Sequence, residues 1–284
     1  MPLNIEVDHR KRTNRETFAE ALRIEKQLTE QIKLSLARES GEFALKHVGA
    51  EIIHPERLDA IRETLKTKSV IWYSNHHGKA DAIPQIDAIS QVIPIDRLVT
   101  VVGMKQMDNR GPLQRVQGSL FNVWADAYGA RIIPLITDGD KRYSEEEKAE
   151  FNKKSLDSIR EILAVPGNVL LLDPEGTRSH DRQMLEGKRG LELILLRSKD
   201  TAVAVPVSSE YHLIYPFGPK TRIIPGEPVT YEELKARRKR YPDLTITELM
   251  MIDLANLINP KNWGFYNKIF DKHPELAHPD PLAI

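Results

Sequence analysis

The stretch VIWYSNHHGKADAIPQIDAI, residues 70–89, contains the pattern on which the fold prediction rests. It begins with an apolar run, residues 70–74, that is typical of a strand buried on both faces. A polar turn with one glycine follows, and then a segment with the apolar spacing of a helix. A strand that leads through a short turn into a helix is the repeating unit of α/β folds.

The same alternation continues along the chain. Further strands are predicted at 98–102, 131–136, 169–172, 202–207 and 221–224, and helices at 112–127, 145–164 and 187–198. Capping boxes predict three helix starts, at Ser144 with Glu147, Thr230 with Glu233, and Thr245 with Glu248. The alternation predicts an α/β fold with a mixed, largely parallel sheet flanked by helices.

The chain divides into three parts. Residues 1–49 are a predicted N-terminal helical region, because apolar residues recur there at helical spacing. Residues 50–258 are the predicted α/β domain. Residues 259–284 contain four prolines and are predicted to be an irregular C-terminal tail.

Composition excludes several classes of protein. The 284 residues include 41 Lys and Arg and 41 Asp and Glu, so the formal net charge is zero. The chain therefore lacks the basic excess of a nucleic-acid binder. Cysteine is absent, which excludes disulfides, thiolate metal sites and a cysteine nucleophile. No apolar run approaches the roughly 20 residues that a transmembrane helix needs. We therefore expect a cytoplasmic protein, either free or peripheral on the cytoplasmic face of a membrane.

Chemistry-bearing residues follow the first strand. His76 and Asp81 are separated by four residues, which allows a loop to turn the carboxylate back onto the imidazole. Such a contact fixes the tautomer and leaves the other ring nitrogen free to accept a proton. The simpler alternative is that Asp81 only caps the following helix and His76 is a buried residue bonded to backbone. A second match to this spacing, His54 to Asp59, is interpreted as a helix start at Pro55.

A second polar block, DPEGTRS, residues 173–179, follows the strand at 169–172. Gly176 permits a tight bend, and Glu175 supplies a carboxylate. Arg178 offers the planar guanidinium that suits phosphate. The alternative is a surface salt bridge between Glu175 and Arg178, which contributes little to stability.

Together the two blocks resemble the glycerolipid acyltransferase family, which includes glycerol-3-phosphate and 1-acylglycerol-3-phosphate acyltransferases. The first block is the family's His-x4-Asp, here NHHGKAD, and the second is its Phe-Pro-Glu-Gly-Thr-Arg-Ser, here matched at six of seven positions. Val205-Pro206-Val207 is similar to the family's fourth block, and RIIPGEPV to its closing strand and turn. The resemblance spans roughly residues 68–229, in the family's order.

Two departures from the family pattern stand out. Leu135 occupies the place of an arginine expected in the family's remaining block. That acceptor contact is therefore either missing or made by another residue, for which Arg131 and Arg142 are the candidates. Asp173 stands where the family has phenylalanine. Its negative charge beside a phosphate site is expected to weaken phosphate binding.

The resemblance implies an O-acyltransferase of phospholipid biosynthesis. It would move a fatty acyl group from acyl-CoA or an acyl carrier protein to a hydroxyl of glycerol-3-phosphate or a lysophospholipid. His76 would be the general base and Asp81 its orienting carboxylate. The phosphate end of the acceptor would be held by four residues of the second block, Glu175, Gly176, Thr177 and Arg178. Lys105 is a weaker candidate for the same role. No metal or other cofactor is expected.

Two other functions remain open. VLLLDPEGT, residues 169–177, also resembles the start of haloacid-dehalogenase-type phosphatases, with Asp173 as the nucleophile. A lipid-binding relative without activity is the third alternative. Two basic clusters could attract an anionic membrane, although a solvated surface is the favoured interpretation. They are Arg10, Lys11, Arg12 and Arg15, and then Lys235, Arg237, Arg238, Lys239 and Arg240.

Overall fold

The computed structural model describes most of the chain from residue 49 onward. The continuous ranges are 49–76, 82–104, 129–137, 140–179, 181–210 and 221–280, and the isolated positions are 23, 26, 27, 31, 35, 39, 125 and 282. The six described positions before residue 49 are helical and exposed. Apart from the helical Ala125, the helix predicted at 112–127 lies outside the described residues. The domain bounds drawn from the sequence remain predictions.

Within the described ranges the strands form one seven-stranded sheet in the order β1-β7-β6-β2-β5-β3-β4. Five neighbouring strands, from β6 to β4, run parallel, whereas β7 is antiparallel to β6 and β1 is parallel to β7. This confirms the predicted mixed, largely parallel sheet. The strands are β1 (Ala50–Ile52), β2 (Ser69–Ser74), β3 (Leu98–Gly103), β4 (Arg131–Leu135), β5 (Val169–Leu172), β6 (Ala202–Glu210) and β7 (Thr221–Pro225).

The described α-helices cover the sheet and connect its strands. The three predicted capping boxes are present, each with both reciprocal hydrogen bonds. No helix in the described ranges is both long and apolar enough to cross a bilayer. The helices are α1 (Pro55–Leu65), α2 (Ala82–Ser90), α3 (Glu145–Leu163), α4 (Gly190–Arg197), α5 (Tyr231–Arg240), α6 (Ile246–Ala255) and α7 (Asn267–Lys272).

The central strand β2 is buried on both faces, as its continuous apolar run predicts. Val70 and Trp72 belong to the core cluster that α1 and α2 cover. Ile71 and Tyr73 point to the opposite face, into the cluster that α3, α4 and α6 cover. Successive side chains therefore separate into two cores, and the carboxyl end of β2 is held rigidly between them.

The C-terminal segment corrects the prediction of an irregular tail. It contains helix α7 and several short 3₁₀ turns. Tyr266, Ile269 and Phe270 are buried in the main core. The four prolines indicate loops, but the three buried apolar side chains hold the segment against the core. Burying side chains of this kind stabilises the fold by about 1.5–3 kcal/mol each.

Candidate functional site

The site begins where β2 and β5 end side by side. Tyr73 in β2 is in register with Leu172 in β5, so the next residues along both strands reach the same edge of the sheet. His76 follows β2 and Asp173 follows β5. In parallel sheets this carboxyl edge is where functional side chains are usually presented.

His76 contacts Asp173 at this edge. The imidazole Nδ1 lies 3.3 Å from Asp173 Oδ2, and the two side chains are 14% and 31% exposed. The hydroxyl of Ser74 donates a hydrogen bond to the other carboxylate oxygen, Oδ1, at 3.0 Å. The carboxylate is thus held between a buried hydroxyl and the imidazole, and His76 stays partly open to solvent.

A backbone contact joins the two sequence blocks directly. The N–H of Ser179, the last residue of the DPEGTRS block, donates to the carbonyl oxygen of His76 at 3.2 Å. More than a hundred positions separate these residues in the chain, yet the second block contacts the histidine. The structure therefore brings the two predicted blocks together.

Asn75 holds the loop that carries His76. Its side-chain N–H donates to the carbonyl of Ser209 at 3.1 Å, and the N–H of Ser209 donates back to Asn75 Oδ1 at 2.8 Å. Gln85 on α2 extends the network, because it accepts a hydrogen bond from the indole of Trp72 and donates one to the Ser209 hydroxyl. All of these side chains are buried, which stiffens the approach to His76.

The second block forms a tight turn at the same edge. The N–H of Gly176 donates to the carbonyl of Asp173 at 3.1 Å, and Gly176 has φ +68°, where a side chain is strained. Gly176 and Thr177 are exposed and Arg178 is partly exposed. Among the described residues Arg178 forms no ion pair with Glu175, so the surface salt bridge considered above is not formed.

Glu175 points inward instead. It is 1% exposed and lies close enough to the buried Tyr266 to influence its titration. Burial raises the pKa of Tyr266 well above its usual value; the hydrogen bond from the N–H of Gly187 opposes the shift, and the charge of Glu175 adds to it. Glu175 is therefore part of the support beneath the turn and does not line its open side.

The C-terminal segment braces this support, a role with no signal in the local sequence. The N–H of Met184 donates to the carbonyl of Asn262 at 2.9 Å, and the N–H of Phe265 donates to the carbonyl of Met184 at 3.0 Å. Gly264 lies between these contacts with φ +52°, and a Cβ there would overlap the Met184 backbone. The N–H of Lys188 also donates to the carbonyl of Pro174 at 2.8 Å, which ties the braced segment to the turn.

Two predicted site residues, Asp81 and Lys105, lie outside the described residues. The pairing of His76 with Asp81 therefore remains a prediction. In the described part of the chain, no group of three or more His, Asp or Glu side chains is arranged to hold a metal ion.

Arg131 and Arg142 are the two candidates to replace the arginine missing at Leu135, and they lie at different ends of β4. Arg131 begins β4, so it lies at the amino edge, about 13 Å along the strand from Leu135. Arg142 follows the carboxyl edge, on the side of His76. Its guanidinium donates to both carboxylate oxygens of Asp140, which is 1% exposed. Of the two, only Arg142 follows the carboxyl end of β4.

The basic cluster at 235–240 occupies the second half of α5. Arg237 is bonded to both carboxylate oxygens of Asp253, at 2.7 and 2.8 Å. Burial alone would lower the pKa of Arg237, but the hydrogen bonds and charge of Asp253 raise it above its usual value. Lys235, Arg238, Lys239 and Arg240 are exposed. The cluster at 10–15 lies outside the described residues.

Comparison with known proteins finds a likeness among solved structures. No family model matches the chain, and no curated protein matches it in sequence. Among solved structures, it is similar to the 1-acyl-sn-glycerophosphate (LPA) acyltransferase PlsC from Thermotoga maritima. The identity is 19% and the TM-score 0.43, with 79% of this chain and 82% of that chain covered. A likeness of this size assigns no activity.

Proposed function

We propose that this protein is an O-acyltransferase of the glycerolipid type. It would transfer a fatty acyl group from a thioester to a hydroxyl of glycerol-3-phosphate or a lysophospholipid. One observation carries the proposal: His76 and the turn that carries Arg178 meet at one edge of the sheet, linked by the hydrogen bond from Ser179 to His76. A base and a phosphate-binding group on one site match the two ends of such an acceptor.

In the proposed reaction, Nε2 of His76 accepts the proton of the acceptor hydroxyl. The hydroxyl oxygen forms a bond to the acyl carbon, the carbon–sulfur bond breaks, and the thiolate leaves and takes up a proton. A positioned general base typically contributes about 10²–10⁴-fold to the rate. The reaction needs no enzyme nucleophile, in keeping with a chain that has no cysteine.

The acceptor's phosphate would be bound by Arg178 together with the exposed backbone of Gly176 and Thr177. Arg178 suits this role because, in the described part of the chain, its guanidinium is engaged in no ion pair. Glu175 would act indirectly by supporting the turn from below. Asp81 and Lys105 keep the roles that the family resemblance implies, as orienting carboxylate and as an additional cation.

The acyl donor would be a coenzyme A or acyl carrier protein thioester, with no other cofactor. Acyl chains and lysophospholipids reside at membrane surfaces, and the exposed cations of α5 would hold an anionic leaflet. We therefore propose peripheral contact with the cytoplasmic face of a membrane. Co-sedimentation with vesicles rich in anionic lipid should fall as salt is raised; binding that salt leaves unchanged would dismiss this contact.

The phosphatase alternative is disfavoured by the contacts of Asp173. A nucleophilic carboxylate must present an oxygen to phosphorus, but Oδ1 of Asp173 accepts from Ser74 and Oδ2 faces His76. This arrangement suits an orienting carboxylate better than a nucleophile.

A direct assay tests the proposal. Purified protein is incubated with radiolabelled acyl-CoA or acyl carrier protein and, separately, glycerol-3-phosphate or a lysophospholipid. Free thiol and labelled lipid are then measured. The proposal expects thiol release that depends on the acceptor and a new acylated lipid in equal amount. Magnesium-dependent phosphate release without acyl transfer would support the phosphatase, and lipid binding without turnover would support the non-catalytic relative.

A further inference from the structure

We propose that Lys188 is a further phosphate-binding residue beside Arg178, and that it makes the site prefer an acceptor with a phosphomonoester over one with a phosphodiester. The preference between acceptors rests on the proposed acyl transfer, whereas the binding of phosphate by Lys188 does not. Lys188 lies beyond the end of the DPEGTRS block, so its place beside the turn is visible only in the structure.

The backbone of Lys188 is fixed against the turn of the second block. Its N–H donates to the carbonyl of Pro174 at 2.8 Å, and its own carbonyl accepts from the N–H of Leu191 at 3.3 Å, at the start of α4. The N–H of the preceding residue, Gly187, donates to the hydroxyl of the buried Tyr266 at 3.0 Å. The point from which the lysine side chain starts is therefore held on both sides.

The side chain of Lys188 lies over the glycine of the turn. A Cβ placed on Gly176 would be 3.6 Å from Lys188 Cγ, an ordinary contact distance. Lys188, Gly176 and Thr177 are all exposed. Because the ammonium stands at the end of a flexible four-carbon stem, a stem that starts against Gly176 brings the charge to the exposed backbone of the turn.

Two cations beside one turn suit a doubly charged ligand. A phosphomonoester carries a charge of about −1.5 to −2 at pH 7, whereas a phosphodiester carries a single negative charge. Arg178 binds phosphate as a planar fork and lysine binds it as a point charge, so the two side chains complement each other. A further cation also offsets the negative charge of Asp173, which the sequence predicts to weaken phosphate binding.

The test is Lys188→Gln in the full-length chain, with Lys199→Gln as the matched control. Glutamine keeps most of the stem over Gly176 and removes the charge. Lys199 is an exposed lysine just beyond the other end of α4, a helix about 12 Å long. The control thus removes the same charge at a distance from the turn.

The first measurement is the binding of inorganic phosphate, followed by phosphorus-31 NMR titration. The unchanged chain and Lys199→Gln should bind phosphate alike, and Lys188→Gln should bind it about tenfold more weakly. Only the exposed end of the side chain changes, so a thermal melt should show the same melting temperature. No phosphate binding by the unchanged chain, or equal affinity in Lys188→Gln and the control, would overturn the assignment.

The second measurement compares two acceptors with the same acyl chain, 1-acylglycerol-3-phosphate and its phosphodiester with glycerol. The unchanged chain should have a KM at least about tenfold lower for the monoester. Lys188→Gln should raise the monoester KM about tenfold and change the diester KM less than about threefold. An equal rise in both KM values, or no preference in the unchanged chain, would show the specificity role to be wrong.

The design separates this proposal from the proposed function. If the unchanged chain transfers no acyl group to either acceptor, the proposed function fails, and the phosphate titration alone then judges Lys188. If acyl transfer occurs but Lys188→Gln binds phosphate as tightly as the unchanged chain, the proposed function stands and the role of Lys188 is wrong.

Discussion

The side-chain amide of Asn75 forms two hydrogen bonds with the peptide groups of Ser209, one given and one received, at 3.1 and 2.8 Å. The two residues lie 134 positions apart, at the ends of the neighbouring parallel strands β2 and β6. Both residues are buried. Their two hydrogen bonds fix the backbone one residue before His76, so the position of the candidate base depends on this contact.

We expect Asn75→Ala to lower the free energy of unfolding by about 2–4 kcal/mol, because it leaves a buried N–H and a buried carbonyl of Ser209 without partners. Acyl transfer should fall further than the loss of folded protein explains, since His76 loses its support. Urea denaturation and kcat of the folded fraction measure the two effects.

Asn152→Ala is the matched control for this change. The amide of Asn152 makes the same two-bond contact with Ile136, at 2.8 Å in each direction. It should lose stability while kcat is retained. Equal kcat in Asn75→Ala and the unchanged chain would contradict the role assigned to the Asn75–Ser209 contact.

His76→Ala should abolish acyl transfer and leave the fold intact. The loss should be at least about 10²-fold, the usual contribution of a general base. The imidazole reaches solvent at 14% exposure, so the space that its removal leaves is open to water. Turnover in the thiol-release assay, compared with a thermal melt, checks both statements. His278→Ala removes an exposed histidine and should change neither the turnover nor the melting temperature. Near-normal turnover in His76→Ala would contradict the proposed mechanism.

Arg178→Ala should raise the acceptor KM by about 10- to 100-fold, because a charge-assisted hydrogen bond contributes about 1.5–3 kcal/mol. The donor KM should stay the same, as the arginine is assigned to the phosphate end of the acceptor alone. Steady-state kinetics with each substrate varied in turn measure this. Arg160→Ala, at an exposed arginine on α3, serves as the control. An unchanged acceptor KM would reassign Arg178.

Asp280→Asn tests stability against pH. Burial would raise the pKa of Asp280, but the N–H of Leu282 and the neighbouring Arg57 and His54 outweigh it and lower the pKa. The guanidinium of Arg57 lies 2.9 Å from the carboxylate. A lowered pKa in the native state stabilises the fold above the unfolded value of about 3.9, and this contribution is lost as pH falls.

The variant should therefore be less stable at pH 7 by about 1–3 kcal/mol, and the difference from the unchanged chain should shrink below about pH 4. Urea denaturation at several pH values measures it. Asp59→Asn removes an exposed carboxylate that pairs with Arg62 and should show little difference at any pH. A constant difference for Asp280→Asn across the acid range would contradict the assignment.

Features set by short-range chemistry could be predicted from the sequence. The strand at 169–172 has the predicted bounds, and the helix predicted at 145–164 is observed as Glu145–Leu163. The capping box of Ser144 with Glu147 forms because its partners are three residues apart on any helix that begins there. The three-residue strand β1 was missed, since so short a run carries no periodicity to detect.

The residues that carry the proposed chemistry were also visible in the sequence, as polar blocks after two apolar strands. Their arrangement was not. That β2 lies between β5 and β6, that Asn75 meets Ser209, and that Asp173 turns to His76 are all consequences of strand order. Strand order is decided by how the whole set of strands and helices buries its apolar faces, which no local pattern encodes.

The sequence by itself thus determined the kind of elements and the chemical groups at their ends, because backbone conformation, capping and burial tendency are local properties. Only the tertiary structure decided which of those groups meet. The contact of His76 with Asp173 and the bracing of the second block by Asn262 and Phe265 join residues far apart in the chain. Such contacts form only when the complete core packs.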